Sequence, residues 1–347
     1  MILLQAVRVL SLSMVSFLVA LSITPFVVRL LHHVKAQKQI RTSGATPIFS
    51  KLHKGKAGTP TMGGIIIWGT VLAIAFILFI FNFLFDGVFG YLNFVDRAET
   101  FLPIAAMLIA GILGLIDDAF GVLKIGPHNG GLKVSQKLIG YFVLAIIGAL
   151  WFYYRLEWDV LLIPLIGSVT IGWYYIPFFI FVIVASAFSA NETDGLDGLA
   201  GGVLLFAYIA LTVVAFMLGR FHLATFGAVT IGALIAFLWN NIYPARFFMG
   251  DTGSMSLGIS MGVIAMLTNT TLLLPLFAPI LVLESASVII QVISKKLRGK
   301  KIFLSTPIHH HFEALGWHET RVTMRFWIIS AMFAILGLVI FFLERYL

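Results

Sequence analysis

Ten stretches of about 20 apolar residues recur along this 347-residue chain, and that is the length an α-helix needs to cross the hydrocarbon core of a bilayer. They run roughly from 9 to 31, 61 to 85, 101 to 116, 136 to 154, 173 to 190, 199 to 218, 223 to 240, 254 to 273, 275 to 294 and 323 to 343. Inside a membrane no water reaches the backbone N–H and C=O groups, so each stretch must satisfy them internally, as a helix does. With 60% hydrophobic and 11% charged residues, the chain reads as an all-α polytopic membrane protein. About ten transmembrane helices in a single integral-membrane domain over residues 1–347 are expected. The first run does not read as a cleaved secretory signal, because Arg29, Lys35 and Lys38 follow its apolar stretch. Cysteine is absent, which removes disulfides, thiolate zinc sites and cysteine nucleophiles and leaves oxygen or imidazole to hold any metal.

Lysine and arginine set the orientation. With the N-terminus outside, the cytoplasmic side collects Arg29, Lys35, Lys38, Arg41, Lys51, Lys54, Lys56, Lys124, Lys133, Lys137, Arg246, Lys295, Lys296, Arg298, Lys300, Lys301, Arg321 and Arg325. Only Arg8, Arg97, Arg155, Arg220 and Arg345 remain outside. Eighteen against five, together the chain's 23 basic residues, places both termini on the exterior of the membrane. The polar residues that interrupt or end apolar runs then gather on the cytoplasmic face. The exterior acids Asp86, Asp96, Glu99, Glu157 and Asp159 lie among ordinary turn residues and read as solvated surface.

Three segments carry the chemistry. In "GILGLIDDAFG" an apolar run stops at Asp117 and Asp118, at or just below the membrane surface, within reach of a lipid headgroup. In "NETDGLDGLAGG" the oxygen donors Asn191, Glu192, Asp194 and Asp197 flank a glycine-rich turn, which suits a hard cation or a phosphate cradled by backbone N–H groups. In "NNIYPARFFMGDTGSMSLG" Asp251 sits between glycines just before another apolar run, and Asn240, Asn241 and Arg246 share its loop. Asp251 has no basic neighbour in sequence other than Arg246, so a divalent cation is its expected counter-charge. A magnesium ion held by one or two carboxylates plus substrate phosphates would use such a loop.

The segment "STPIHHHFEALGWHETRVTMRFW" places His309, His310 and His311 side by side, framed by Pro307 and Phe312. Three consecutive imidazoles cannot all point at one centre, so at most two share a target. Beside carboxylates and magnesium their natural acceptor is a phosphate, and they read as phosphate or sugar contacts rather than metal ligands.

In this order "GTPTMGG", the helix-ending "DD", "NETDGLDGLAGG", "FMGDTGS", "KKIF" and "PIHHHFEALGWHE" before "RFW" resemble the phospho-N-acetylmuramoyl-pentapeptide transferase family. The resemblance runs from about residue 41 to the C-terminus. The aspartate motifs are shared by the wider superfamily of polyprenyl-phosphate N-acetylhexosamine-1-phosphate transferases, whereas "PIHHHFE" with "GTPTMGG" favours the muramoyl-pentapeptide branch. The resemblance implies a magnesium-dependent transfer of phospho-MurNAc-pentapeptide from UDP-MurNAc-pentapeptide to undecaprenyl phosphate, giving lipid I and UMP, the first membrane step of peptidoglycan synthesis. It further implies ten transmembrane helices with the ninth broken, a cytoplasmic active site, a homodimer and a bacterial inner-membrane location. Glu284 and Gln291, polar residues within the ninth run, fit the broken helix or face the bundle interior. No nucleic-acid partner is expected.

On this resemblance and the chemistry together, Asp117, Asp118 and Asp251 are the candidate catalytic residues. Asp251 is the expected magnesium ligand, and Asp117 or Asp118 positions or deprotonates the lipid phosphate. Asn191, Asp194 and Asp197 resemble the nucleotide side of the family's cleft. Lys56, Lys137, Asn241, Phe248, Gln291, His310 and His311 match further substrate-binding positions. One departure stands out: the family's lysine three residues after the second aspartate is here Gly121, with Lys124 three positions later. The loop around Ser43 to Ser50 is also looser than usual. A GlcNAc-1-phosphate transferase of the same superfamily is the alternative among enzymes. A transporter would show inverted repeats and midmembrane binding residues, and neither is seen.

The charge split yields a test. Single cysteines at Lys54 and Lys300 are expected to react with impermeant reagents only from the cytoplasmic side, and one at Asp96 only from outside. The reverse labelling would remove the acids and histidines from the cytosolic face.

Overall fold

The computed structural model describes residues 1–37, 56, 58–85, 87–96, 99–126 and 130–346. Lys38, Arg41, Lys51, Lys54 and Arg97 of the charge reading, with Asp86 and the Ser43 to Ser50 loop, lie outside the described residues. A helix stands on each of the ten apolar runs. These are α1 (Ile2–His33), α2 (Ile65–Leu84), α3 (Phe101–Val122), α4 (Val134–Leu150), α5 (Tyr175–Thr193), α6 (Leu199–Met217), α7 (Phe221–Asn241), α8 (Gly250–Leu267), α9 (Pro279–Arg298) and, after the short α10 (Ile308–Ala314), α11 (Glu319–Tyr346). Among the described residues, eight helices are long and apolar enough to span a bilayer, and a ninth span is formed if the bent pair ending in α9 is counted as one. This is a multi-pass membrane protein.

The eighteen-residue α8 falls short of that composition because it is built from glycine, serine and threonine, and the structure shows why. Every residue of α8 except Asp251 is buried. It packs against α3 and α5, while α1 packs on α7, α6 on α7 and α11 on α6. Small side chains let the neighbours approach closely where lipid offers no hydrophobic drive between helices. Outer helices instead leave large apolar side chains exposed, among them Leu10, Phe76, Ile139, Phe181 and Ile328.

The ninth run is broken, as the resemblance implies. Thr271–Phe277 meets α9 at 91° across Ala278. Pro279 has no N–H to give to the preceding turn and opens α9 instead. Glu284 and Gln291 lie beyond the break, buried in the interior.

The bundle has two polar ends. At one, the guanidinium of Arg8 donates to Asn93 O (2.8 Å), and Glu99 Oε2 accepts the backbone N–H groups of His222 and Leu223 (3.1 and 3.2 Å) at the start of α7. Glu99 is therefore a helix cap rather than solvated surface, a role that needs α7 brought beside it and leaves no mark in its own loop. The small departure from an all-α chain is at the same end: an antiparallel hairpin of β1 (Val160–Ile163) and β2 (Gly167–Thr170), tied to Asn269 beyond the far end of α8. The candidate site lies at the opposite end, where α8 begins.

Close packing of α7 on α1 depends on Gly232, where a Cβ would run into the carbonyl oxygen of Ser13. Gly232→Val is expected to cost about 1–3 kcal/mol of stability, read as a lowered thermal midpoint of the purified protein. Gly140→Ala, whose nearest neighbour is a Leu113 methyl at 4.0 Å, leaves the midpoint in place. Equal behaviour of the two variants would contradict the helix pairing.

Candidate active site

Three segments distant in sequence meet at the first turn of α8. Its backbone N–H groups have no partners within the helix and attract negative charge. Asp194 Oδ2 accepts from Gly250 N (3.1 Å), and Asp118 Oδ2 accepts from Thr252 N (3.0 Å). Gly250 adopts φ +72°, and a side chain there would strike the Asp118 carboxylate. Gly114, one turn before the aspartate pair, lets α3 touch the backbone of Asp251 and Thr252. Thr252 Oγ1 donates to Gly111 O (2.7 Å) and accepts from Trp68 Nε1 (3.0 Å), which fixes α2, α3 and α8 to one another.

Asp251 is thereby aimed at the mouth of the bundle. Asn191 Nδ2 donates to its Oδ1 (2.9 Å) and to Ser254 Oγ (3.2 Å). Its other oxygen pairs with the ammonium of Lys137, from the first turn of α4, and the same ammonium pairs with Asp117 Oδ2 at 2.7 Å. The remaining Asp117 oxygen accepts from Leu132 N. Asp251 thus meets a basic partner that its own sequence neighbourhood does not supply. Arg246 turns back to Asn240 Oδ1 (3.2 Å), and Lys137 arrives from 114 positions away, a distance no local reading bridges. Glu192 lies within electrostatic reach of Lys137, Asp251, Glu284 and His309.

A second cluster stands beside the first. Lys56 Nζ bridges Asp197 Oδ1 (2.6 Å) and Glu319 Oε2, and lies 5.9 Å from the centroid of the Phe248 ring. Asp197 Oδ2 accepts from Ala245 N (3.0 Å). The "GTPTMGG" segment pairs with the one before Asp251: Phe248 N donates to Pro60 O, Gly63 N to Phe248 O and Gly64 N to Met249 O, each at 2.8 Å. Asn241 is buried and spent on the protein itself, accepting from Gly198 N (3.1 Å) and donating to Phe247 O (2.8 Å).

The histidines divide as their backbone requires. His309 Nδ1 faces Glu284 Oε2 (3.0 Å), His310 Nδ1 faces Glu313 Oε2 (2.7 Å), and His311 Nδ1 accepts from Leu304 N (3.2 Å). No two of them share one of these partners. Gln291 accepts from Ile302 N and Phe303 N (2.9 and 3.1 Å) and donates to Phe303 O (2.9 Å), so it pins the "KKIF" loop to α9.

Of the residues singled out from sequence, Asp117, Asp118, Lys137, Asn191, Asp194 and Asp251 therefore form one connected group, and Lys56, Asp197 and Phe248 a second. Asn241 and Gln291 hold loops, while His310 and His311 stand on α10. Sequence reasoning passed over Glu319 and Thr252, and read His309 with its neighbours as a phosphate or sugar contact, whereas it is buried against Glu284. Glu319 had a signal, an acid directly before an apolar run, but its lysine partner lies 263 positions away.

Among the described residues no three His, Asp or Glu side chains form a ready-made metal cage. The donors gathered here are the carboxylate oxygens of Asp117 and Asp251, a hard set that suits magnesium, an ion that keeps waters and takes one or two carboxylates plus phosphates.

The sequence profile of glycosyl transferase family 4 matches residues 100–269, which span both aspartate segments and Asp251. Residues 56–67 match the phospho-N-acetylmuramoyl-pentapeptide-transferase signature 1, which begins at Lys56 and runs through the segment bonded to Phe248 and Met249. The chain is 38% identical to the phospho-N-acetylmuramoyl-pentapeptide-transferase of Clostridium novyi (strain NT) over 93% of its own length and 94% of that protein. It is 39% identical to that of Clostridium kluyveri over 93% and 96%, and 36% identical to that of Geobacillus thermodenitrificans (strain NG80-2) over 94% and 95%. The bundle, its acidic end and these relatives define an integral-membrane transferase. The chain belongs to the phospho-N-acetylmuramoyl-pentapeptide-transferase family.

Proposed function

We propose that the protein transfers phospho-MurNAc-pentapeptide from UDP-MurNAc-pentapeptide to undecaprenyl phosphate, releasing UMP and forming lipid I. The observation that carries the reading is the meeting of Asp117, Asp251, Lys137 and Asn191 at one end of the bundle, beside an apolar cleft. That cleft, of about 830 Å³, lies between α4, α5 and α9 and is lined by Leu138, Phe142, Ile180, Leu281 and Ser285. Leu138 adjoins Lys137, so an isoprenoid tail in the cleft would bring its phosphate to the acids. Phe181, Val282 and Ile289 along it are exposed, as an opening toward lipid requires.

In the reaction an oxygen of the lipid phosphate attacks the β-phosphorus of the sugar nucleotide. A new P–O bond forms, the bond from that phosphorus to the UMP oxygen breaks, and its electron pair leaves with UMP. The chain's task is to orient the two phosphates in line and stabilise the charge that moves. Asp117 is the better placed of the acid pair to hold or deprotonate the lipid phosphate, because Asp118 already caps α8. Lys137 neutralises Asp117 and Asp251 until substrate arrives, then turns to phosphate oxygens. Asp194, Asp197 and Lys56 bound the nucleotide side, and His310 and His311 face the sugar phosphate. When bound, a magnesium ion held by Asp251 would offset diphosphate charge and help UMP depart. The same reading sets the site on the cytoplasmic side of the bacterial inner membrane and the chain in a homodimer.

The test is UMP release by purified protein with magnesium, undecaprenyl phosphate and either UDP-MurNAc-pentapeptide or UDP-GlcNAc. Release with the first sugar alone is expected. Release with UDP-GlcNAc alone would move the chain to the other branch. Asp251→Asn is expected to lower the rate by at least about a hundred- to a thousand-fold and to abolish manganese binding seen by paramagnetic resonance. Asp117→Asn loses turnover but keeps the ion. Near-normal activity of Asp251→Asn at low magnesium would exclude Asp251 as the ligand.

A further inference from the structure

Glu284 and His309 are both fully buried, one from the second turn of α9 and the other from α10. Glu284 Oε2 faces His309 Nδ1 at 3.0 Å and the His309 backbone N at 3.5 Å. Among the described residues, Glu284 Oε1 and His309 Nε2 have no hydrogen-bond partner. A buried carboxylate is costly unless hydrogen-bonded, so an imidazole that swung away would leave Glu284 Oε2 without its ring partner. The ring is locked at its Nδ1 edge.

Its opposite edge lies on Gly195. A Cβ at that position would overlap His309 Nε2 and come within 2.7 Å of Cε1. Gly195 sits between Asp194, which holds the first turn of α8, and Asp197, which holds Ala245 and Lys56. The His309 ring also meets that of His310 edge to face at 4.0 Å between centroids. A continuous set of contacts therefore runs from α9, which lines the apolar cleft, through Glu284 and His309 to the turn that carries two candidate nucleotide-side acids.

We propose that the Glu284–His309 pair is a positioning device that sets the Asn191–Asp197 turn for the sugar nucleotide, with His309 acting through Gly195 rather than on substrate. This rests on the function proposed above. His309→Asn keeps a side-chain N–H for Glu284 but withdraws the ring from Gly195. It is expected to raise KM for UDP-MurNAc-pentapeptide by about ten-fold or more, in line with the effect of small displacements around a reacting centre, and to leave KM for undecaprenyl phosphate unchanged. Gly195→Ala alone is expected to fail at the same step, because the locked ring cannot yield. Combined with His309→Asn the added methyl has space, so the double variant should be more active than Gly195→Ala alone. The same non-additivity is expected in the thermal midpoints of the three variants, which report the contact whether or not the enzyme turns over.

A Gly195→Ala variant with wild-type kinetics and stability, equal KM changes for both substrates in His309→Asn, or effects that simply multiply in the double variant would overturn the proposal. If wild-type protein releases no UMP from either nucleotide, the functional reading fails, and the midpoint cycle alone then decides whether His309 holds the turn.

Discussion

A single ammonium group, that of Lys137, is shared by two carboxylates that stand on different helices, Asp117 on α3 and Asp251 on α8. All three side chains are at least four-fifths withdrawn from solvent. Two acids brought together in such a place repel each other, and a shared cation offsets that repulsion. The arrangement is costly to desolvate and contributes little to stability compared with an apolar substitute, but breaking it from one side leaves a buried charge without a partner. The proposed function would use such a cluster as a stored charge pattern for a phosphate or a divalent ion to take over.

The rest of the bundle holds that pattern in place. The small-residue helix α8 lets α3 and α5 approach until Asp118, Asn191 and Asp194 all reach its first turn. Trp68 and Thr252 lock the same turn to α2 and α3. At the far end Glu99 and Arg8 tie α7 and α1 to the connecting loops, away from the chemistry. Apolar helix faces pointing to lipid supply the span, and the polar ends supply the specific contacts. The kink at Ala278 turns α9 so that its apolar side lines the cleft while Glu284 reaches inward to His309.

Much of this was legible before any coordinates. Run length alone placed a helix on each of the ten apolar runs among the described residues, since a membrane permits few other backbones. The acids were legible as well, because charge at the end of an apolar run is rarely accidental. Partners were not. Lys137 and Asp251 are 114 positions apart and Lys56 and Glu319 are 263 apart, so neither pair leaves a trace in local pattern. Asn241 and Gln291 show the converse. Both match substrate-binding positions by resemblance, and in the structure each bonds backbone groups, Asn241 those of Gly198 and Phe247 and Gln291 those of Ile302 and Phe303, contacts visible only once the chain is folded. Glu99 was misjudged for the same reason, its cap lying on a helix 123 positions on.

The shared ammonium is tested most directly by thermal unfolding of Lys137→Met, Asp251→Asn and the double variant in one detergent. Lys137→Met alone is expected to cost about 3–5 kcal/mol, the usual effect of stripping one partner from a buried ion pair. The double variant should lose clearly less than the sum of the single losses, because removing the second charge relieves the first. Strictly additive losses, or a Lys137→Met protein as stable as wild type, would show that Lys137 does not hold the two carboxylates together.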